Sequence, residues 1–123
     1  MKGASRIETG RRGEDLAVDY LKQRGYRIIE RNYRCPFGEI DIVAQQGEVV
    51  VFIEVKTRRS PRFGDPQQSI TLEKRKHISR IALDYLQKKR LYPCSARFDV
   101  VAIRMLGEGA GIELIPNAFD AAF

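Results

Sequence analysis

The chain has 123 residues, 43% of them hydrophobic, and 22 Lys and Arg against 16 Asp and Glu give it a net charge of +6. That length suits one domain spanning residues 1–123, with a core that buries roughly two-thirds of the unfolded chain's surface. No apolar run approaches the roughly 20 residues a membrane-spanning helix requires, and no apolar stretch follows the basic start Met1 to Arg6, so neither a membrane span nor a secretory signal is expected.

Cys35 and Cys94 lie far apart and lack C-x-x-C spacing. They read as reduced thiols of a cytoplasmic protein. The excess of positive charge favours polyanionic partners. Nucleic acids, ribosomal surfaces and membranes all satisfy that condition, so charge defines a partner class and no chemistry.

In chain order, Gly10 to Arg24 reads as a first helix. Leu16, Ala17, Tyr20 and Leu21 share one face, and Gly25 stands where a helix commonly stops. Tyr26 to Arg31 is a short strand. Gly38 to Val55 has the pattern of a hairpin turning at Gln46-Gly47. The segment Thr57 to Ser69 carries Pro61, Gly64 and Pro66 and is expected to be a mobile loop.

Thr71 is a suitable N-cap for a second helix that runs to about Arg90. Leu72, Ile78, Ile81, Ala82, Tyr85 and Leu86 form its apolar stripe, and Lys88, Lys89 and Arg90 complement its C-terminal end. Phe98 to Ile103 is apolar on both faces, as a central strand should be. Ile112 to Ile115 is a last strand, and 116–123 is left as an unassigned tail. The order is α-β-β-β-α-β-β. The third strand, the second helix and the fourth strand make a right-handed parallel crossover. The predicted fold is therefore α/β, with a mixed sheet flanked by helices.

The hairpin carries the chemistry. With a turn at Gln46-Gly47, position 41 faces 52 and position 39 faces 54. Strand alternation then places Glu39, Asp41, Phe52, Glu54 and Lys56 on one face. Asp41 and Glu54 become diagonal neighbours, roughly 7–8 Å apart at the backbone. Two carboxylates so placed repel each other unless a cation lies between them. Mg²⁺ suits the pair because it accepts one or two carboxylates, several waters and phosphate oxygens. Lys56, beside Glu54, is placed to orient an attacking water or to offset charge developing on a phosphate.

Solvated acids and lysines at a strand end are the plainer reading of an E-x-K triplet. Against it stands the strand itself, which is otherwise apolar. Glu14 lies at the edge of the first helix's buried face, where it either leans toward the cation or is a solvated residue near a helix N-terminus. Arg58, Arg59 and Arg62 follow the site and are placed to hold phosphates, or they simply solvate a loop. Lys74, Arg75, Lys76 and Arg80 form a second basic face. The single histidine, His77, reads as a surface residue, and Asp99 as a structural ion-pair partner.

Three blocks together, Gly38-Glu39-Ile40-Asp41-Ile42-Val43-Ala44, Phe52-Ile53-Glu54-Val55-Lys56-Thr57-Arg58 and Arg97-Phe98-Asp99-Val100-Val101, resemble the YraN family of uncharacterised bacterial proteins. That family is similar to archaeal Holliday-junction resolvases and falls within the PD-(D/E)XK nuclease superfamily. The resemblance runs from about Gly10 to Ile103. It implies a restriction-endonuclease-like three-layer core and a metal site of Glu14, Asp41, Glu54 and Lys56. It further implies Mg²⁺ or Mn²⁺ as cofactor, DNA as substrate, branched or damaged DNA included, and a homodimer. Ile40 stands where the superfamily's name places a proline, which is not a metal ligand. Two functions follow: a metal-dependent endonuclease, or a non-catalytic nucleic-acid-binding or assembly module on the same scaffold. Metal uptake separates them.

Overall fold

The computed structural model describes residues 6–58, 71–91, 94–106 and 109–119. The elements are α1 (Arg6–Gln23), β1 (Arg27–Cys35), β2 (Gly38–Gln46), β3 (Val49–Arg58), α2 (Leu72–Lys88), β4 (Ala96–Leu106) and β5 (Gly109–Phe119). This is the order read from the sequence. One five-stranded sheet holds the strands in the order β1-β2-β3-β4-β5. β1, β2 and β3 form an antiparallel meander. β3 and β4 are parallel, with α2 as the crossover between them, and β5 returns antiparallel to β4.

Alternation along the central strands divides the core in two. Val43, Val50, Phe52, Phe98 and Val100 pack with Ile81, Ala82, Tyr85 and Leu86 of α2. Ile42, Ala44, Val51, Ile53, Val101 and Ile103 pack with Ala17, Val18 and Leu21 of α1. The helices thus cover opposite faces, and β3 and β4 are buried on both, which explains their unbroken apolar runs.

α1 ends as expected at Gly25. Its amide donates to the Lys22 carbonyl at 3.1 Å, and the Tyr26 amide reaches Leu21 at 3.0 Å. This double closure needs the left-handed φ of +88° that glycine adopts readily. Thr71 caps α2, its hydroxyl accepting from the Lys74 amide at 3.1 Å.

Four local expectations are corrected. The hairpin turns on Gly47-Glu48, not Gln46-Gly47, because Gln46 pairs with Val49. The positive φ of Gly47, +60°, is needed at the first central position of the turn. Leu72 is not part of the buried stripe: it is 62% exposed, in the first turn of α2. β1 continues four residues past Arg31, to Cys35. β5 runs through the first part of the unassigned tail, to Phe119. The expected mobile loop, apart from Thr57 and Arg58 at the end of β3, lies outside the described residues.

Candidate active site

The displaced turn changes the hairpin register by two residues and therefore keeps its parity. The ladder ends at the pair Ile42 and Ile53, so Asp41 and Glu54 are the next residues along the two strands, opposite and not diagonal in that register. Glu39 does not face Glu54. It pairs across β1 with Arg34, to which its carboxylate is bonded at 2.8 Å.

At Asp41 the regular alternation breaks. Ile40 packs on the α2 side and Ile42 on the α1 side, although they are two residues apart. Their β1 partners divide in the same way. Tyr33 donates to Asp84 of α2 at 2.6 Å, and Arg31 meets Glu14 and Asp15 of α1. The β1–β2 ribbon thus twists through the plane of the sheet at this point. Asp41 occupies the twist, and its Oδ2 accepts the Val55 amide at 2.8 Å. A carboxylate oxygen serves β3 where a ladder carbonyl otherwise would. That bond ties Asp41 to the middle residue of the Glu54-Val55-Lys56 triplet.

Acids from both faces consequently converge. Burial pushes the Asp41 carboxyl up to about 7, the Glu54 charge adds to this, and Glu14 and Glu39 contribute less; the Val55 amide opposes them. Burial also raises Glu54, against the pull of Lys56, of Lys74 and of a hydrogen bond with Asp41. Lys56 is lowered by burial first and then by the neighbouring Lys74. Burial and the neighbouring acid thus make the charged form of Asp41 costly while no cation is present.

Glu14 lies less close. Its Oε1 stands 3.5 Å from an Arg31 guanidinium nitrogen, is buried, and has no hydrogen-bond partner. Arg31 directs its short bond, 2.8 Å, to the exposed Asp15 instead. Among the described residues, no three acids, histidines or cysteines converge as a ready-made metal-binding group. The donor set that does meet is the Asp41–Glu54 pair, which is what Mg²⁺ requires when water fills its remaining positions. The orphaned Glu14 oxygen suits an outer position, reached through water.

Arg58 is exposed at the end of β3, with its guanidinium on the Thr57 carbonyl at 3.0 Å. Arg59 and Arg62 lie outside the described residues. His77 is exposed, its ring set against Gly38, where a Cβ would come within 2.8 Å of Nε2. Asp99 is buried and structural, bonded to Tyr26, to Arg97 and to the Asn117 amide.

The sequence reading missed three participants. Arg31 controls Glu14, and no local pattern signals this. Lys74, grouped with a surface patch, is exposed, and its charge acts on Glu54. Gly13 allows α1 to approach the end of β3, and a glycine inside a helical pattern is itself a sign of close approach.

A profile of the uncharacterised protein family UPF0102 matches residues 13–103, a span that contains every described element of the site. The chain belongs to the UPF0102 family. This is the YraN family of the resemblance. A UPF0102 protein of Syntrophus aciditrophicus is 53% identical over 117 residues, covering 95% of this chain and 92% of that one. One from Geobacter metallireducens is 51% identical over 114 residues and covers 93% of each. Among solved structures, Pyrococcus furiosus SfsA in complex with Ca²⁺ superposes with a TM-score of 0.40 at 16% identity, over 89% of this chain and 63% of that one. SSO0001 superposes with a TM-score of 0.34 at 15% identity, over 90% of this chain and 51% of that one. No helix among the described residues is long and apolar enough to cross a membrane.

Proposed function

We propose that this UPF0102 protein is a metal-dependent endonuclease that hydrolyses phosphodiester bonds in DNA, with branched or damaged DNA as candidate substrates. One observation carries the reading: two half-buried carboxyls, Asp41 and Glu54, meet beside a lysine whose ammonium is itself partly desolvated. A pair of buried acids is a liability for folding and finds its use when a divalent cation neutralises it.

Asp41 and Glu54 would hold Mg²⁺ or Mn²⁺, with Glu14 contributing through water. When bound, the ion supplies Lewis acidity at a phosphate oxygen. The Val55 amide fixes the Asp41 carboxylate, so its free oxygen needs no reorganisation to act. Lys56 donates from Nζ, orienting a water for in-line attack and offsetting charge that develops on the phosphate. The net charge of +6 and Arg58 at the mouth of the site supply attraction to the DNA backbone.

The second reading is a nucleic-acid-binding or assembly module without turnover. It is favoured by one observation, the engagement of Glu14 by Arg31 in place of a third direct ligand. The experiment that decides incubates the protein with linear, nicked, flapped and four-way-junction DNA in Mg²⁺ or Mn²⁺, beside Asp41→Ala. Cleavage by wild type alone supports the enzyme. Absence of cleavage on every substrate, with DNA binding retained, transfers the conclusion to the binding module.

A further inference from the structure

The sheet has two outer strands, β1 and β5. An exposed edge invites pairing, and charge, bulges and proline guard against it. β1 is guarded: Arg27, Glu30, Arg31 and Arg34 lie along it, and its register with β2 shifts between Ile28 and Glu30. β5 lacks that protection over most of its length. From Gly109 to Ile115 it keeps a regular register with β4 and carries one charge, Glu113. Among the described residues no strand pairs with its outer side.

Backbone hydrogen bonds fix which groups of β5 face outward. The Val50 amide of β3 donates to the Ser95 carbonyl at 3.0 Å, with Val50 level with Ala96. In a parallel pair that bond turns the odd-numbered residues of β4 toward β3 and the even-numbered ones toward β5. The even-numbered residues pair with Gly109, Gly111, Glu113 and Ile115, which therefore bond inward. The N–H and C=O groups of Ala110, Ile112 and Leu114 point away from the sheet. Pro116 continues that outward phase, where its missing N–H costs β4 nothing.

We propose that two copies of this chain join β5 to β5, antiparallel, about a two-fold axis at Ile112. Ile112 then faces its own copy and Ala110 faces Leu114, so three pairs each exchange both backbone hydrogen bonds. Moving the axis to Glu113 would set two like charges opposite each other. It would also bring Pro116, which has no N–H, into the ladder opposite Ala110. The Ile112 axis avoids both.

This register also uses a depression of about 190 Å³ lined by Ala102, Arg104, Gly111, Ile112 and Glu113. Among the described residues, nothing lies within 4 Å of where a Cβ on Gly111 would stand. Arg104, Gly111 and Glu113 share one face, since Arg104 is level with Gly111 and Glu113 is two positions on. In the pair, Glu113 of one copy lies opposite Gly111 of the other, with Arg104 on the far side of that glycine. Two strand spacings, about 10 Å at the backbone, separate acid and base, and the residue between them has no side chain. Each copy thus offers an acid to the other's arginine. That reciprocity favours a second copy over an unrelated peptide as the occupant of the edge. Asp41 and Glu54 lie on β2 and β3, so the interface leaves both sites clear, and it does not rest on the nuclease reading.

The test is sedimentation equilibrium of the full chain over a wide concentration range, followed by cross-linking. One pair of joined edges makes an interface of the weak class, below about 1,200 Å², so a reversible, concentration-dependent dimer is expected. Gly111→Glu sets two like pairs across the axis and should weaken the dimer roughly tenfold, whereas Gly111→Lys should leave it at least as tight as wild type. In a Cys35→Ser, Cys94→Ser background, Ile112→Cys should oxidise to a covalent dimer. Facing residues of a hydrogen-bonded pair stand about 5.5 Å apart at Cα, within disulfide reach. Leu114→Cys should stay monomeric on oxidation, because its copy lies four positions along the strand, about 14 Å away. A wild type that remains a monomer at every concentration overturns the proposal. So does a dimer that Gly111→Glu and Gly111→Lys affect alike. A dimer that Ile112→Cys fails to link, or that Leu114→Cys links as readily, overturns it too.

Discussion

Gly13 of α1 lies so close to Thr57 of β3 that a Cβ at position 13 would stand 2.2 Å from the threonine Oγ1. The contact locks the helix carrying Glu14 against the residue that follows Lys56. With Thr57 in place, a side chain at position 13 would force Thr57 or α1 to shift.

Gly13→Ala should therefore destabilise the protein. Alanine is favoured over glycine inside a helix by about 1 kcal/mol. Overpacking against a fixed neighbour costs about 1–3 kcal/mol. The overlap is severe, and Thr57 cannot rotate out of it freely because its Cγ2 would already be 3.3 Å away. A net loss of about 1–2 kcal/mol is expected in urea unfolding. Gly13→Ala combined with Thr57→Ala should recover most of it, because the clashing oxygen is gone. Recovery in the double variant separates steric overlap from a general intolerance of the helix.

The raised carboxyl of Asp41 predicts a pH dependence. Asp41 is raised from 3.8 to about 7 in the folded protein. The native state therefore binds this proton more tightly than the unfolded state does. Below about pH 4 both states are protonated and Asp41 carries no penalty. Between about pH 4 and 7 the unfolded chain has released the proton and the native one has not, so stability falls as pH rises, and the loss is complete above about 7. In EDTA the melting temperature should drop between pH 5 and 8 more steeply for wild type than for Asp41→Asn. Saturating Mg²⁺ should remove the difference. Parallel curves for the two proteins in EDTA would refute the raised Asp41 carboxyl.

The order of elements, the crossover and the facing acids were legible in the sequence because each depends on local period. A hairpin register wrong by two residues still places Asp41 and Glu54 on the same side, since side chains repeat every two positions. The turn was misplaced because Gly47 was assigned to the second central position and not the first. The switch of faces between Ile40 and Ile42 was not legible. It arises from the twist of a ribbon held by α1 at Arg31 and by α2 at Tyr33, contacts that join distant segments. Leu72 has the right helical phase to be buried, but it sits in the first turn of α2 and is left exposed. Phase gives direction around a helix and nothing about where the helix leaves the sheet.

Metal binding and turnover should separate between the acids and the lysine. Asp41→Asn and Glu54→Gln each remove one of the two carboxylates available to the ion, and each should abolish Mn²⁺ uptake in calorimetric titration. Lys56→Ala leaves both carboxylates in place. It should retain Mn²⁺ while losing about 10²–10³ in rate, as removal of one preorganised donor commonly does. A Lys56→Ala protein that loses the metal as well would show that the lysine maintains the site and does not act on the water.

Asp99 of β4 is the centre of a second polar network. Its buried carboxylate accepts the Tyr26 hydroxyl at 2.8 Å, the Arg97 guanidinium at 2.9 and 3.0 Å, and the Asn117 amide at 2.8 Å. The last of these bonds fills the irregularity where β5 slips its register between Phe98 and Val100 of β4. Asn117 adopts a φ of +51° there. Arg97 continues to the Gln46 side chain at 2.7 Å, so one carboxylate links the end of α1, the close of β2 and the edge strand. Asp99→Ala would leave a half-buried guanidinium, a buried phenol and a backbone amide without their acceptor. Breaking such a pair from one side costs about 3–5 kcal/mol. Asp99→Asn keeps the shape and one acceptor oxygen, but it turns a donor toward Arg97 and either Tyr26 or the Asn117 amide, so a smaller loss of about 1–3 kcal/mol is expected. Urea unfolding of both variants measures the two losses. Because the Asp99 carboxylate bonds to Tyr26, Arg97 and Asn117 and to neither acid of the pair, Mn²⁺ uptake by the folded Asp99→Asn protein should match wild type. A variant that unfolds at the wild-type denaturant midpoint would show that the network adds nothing to stability.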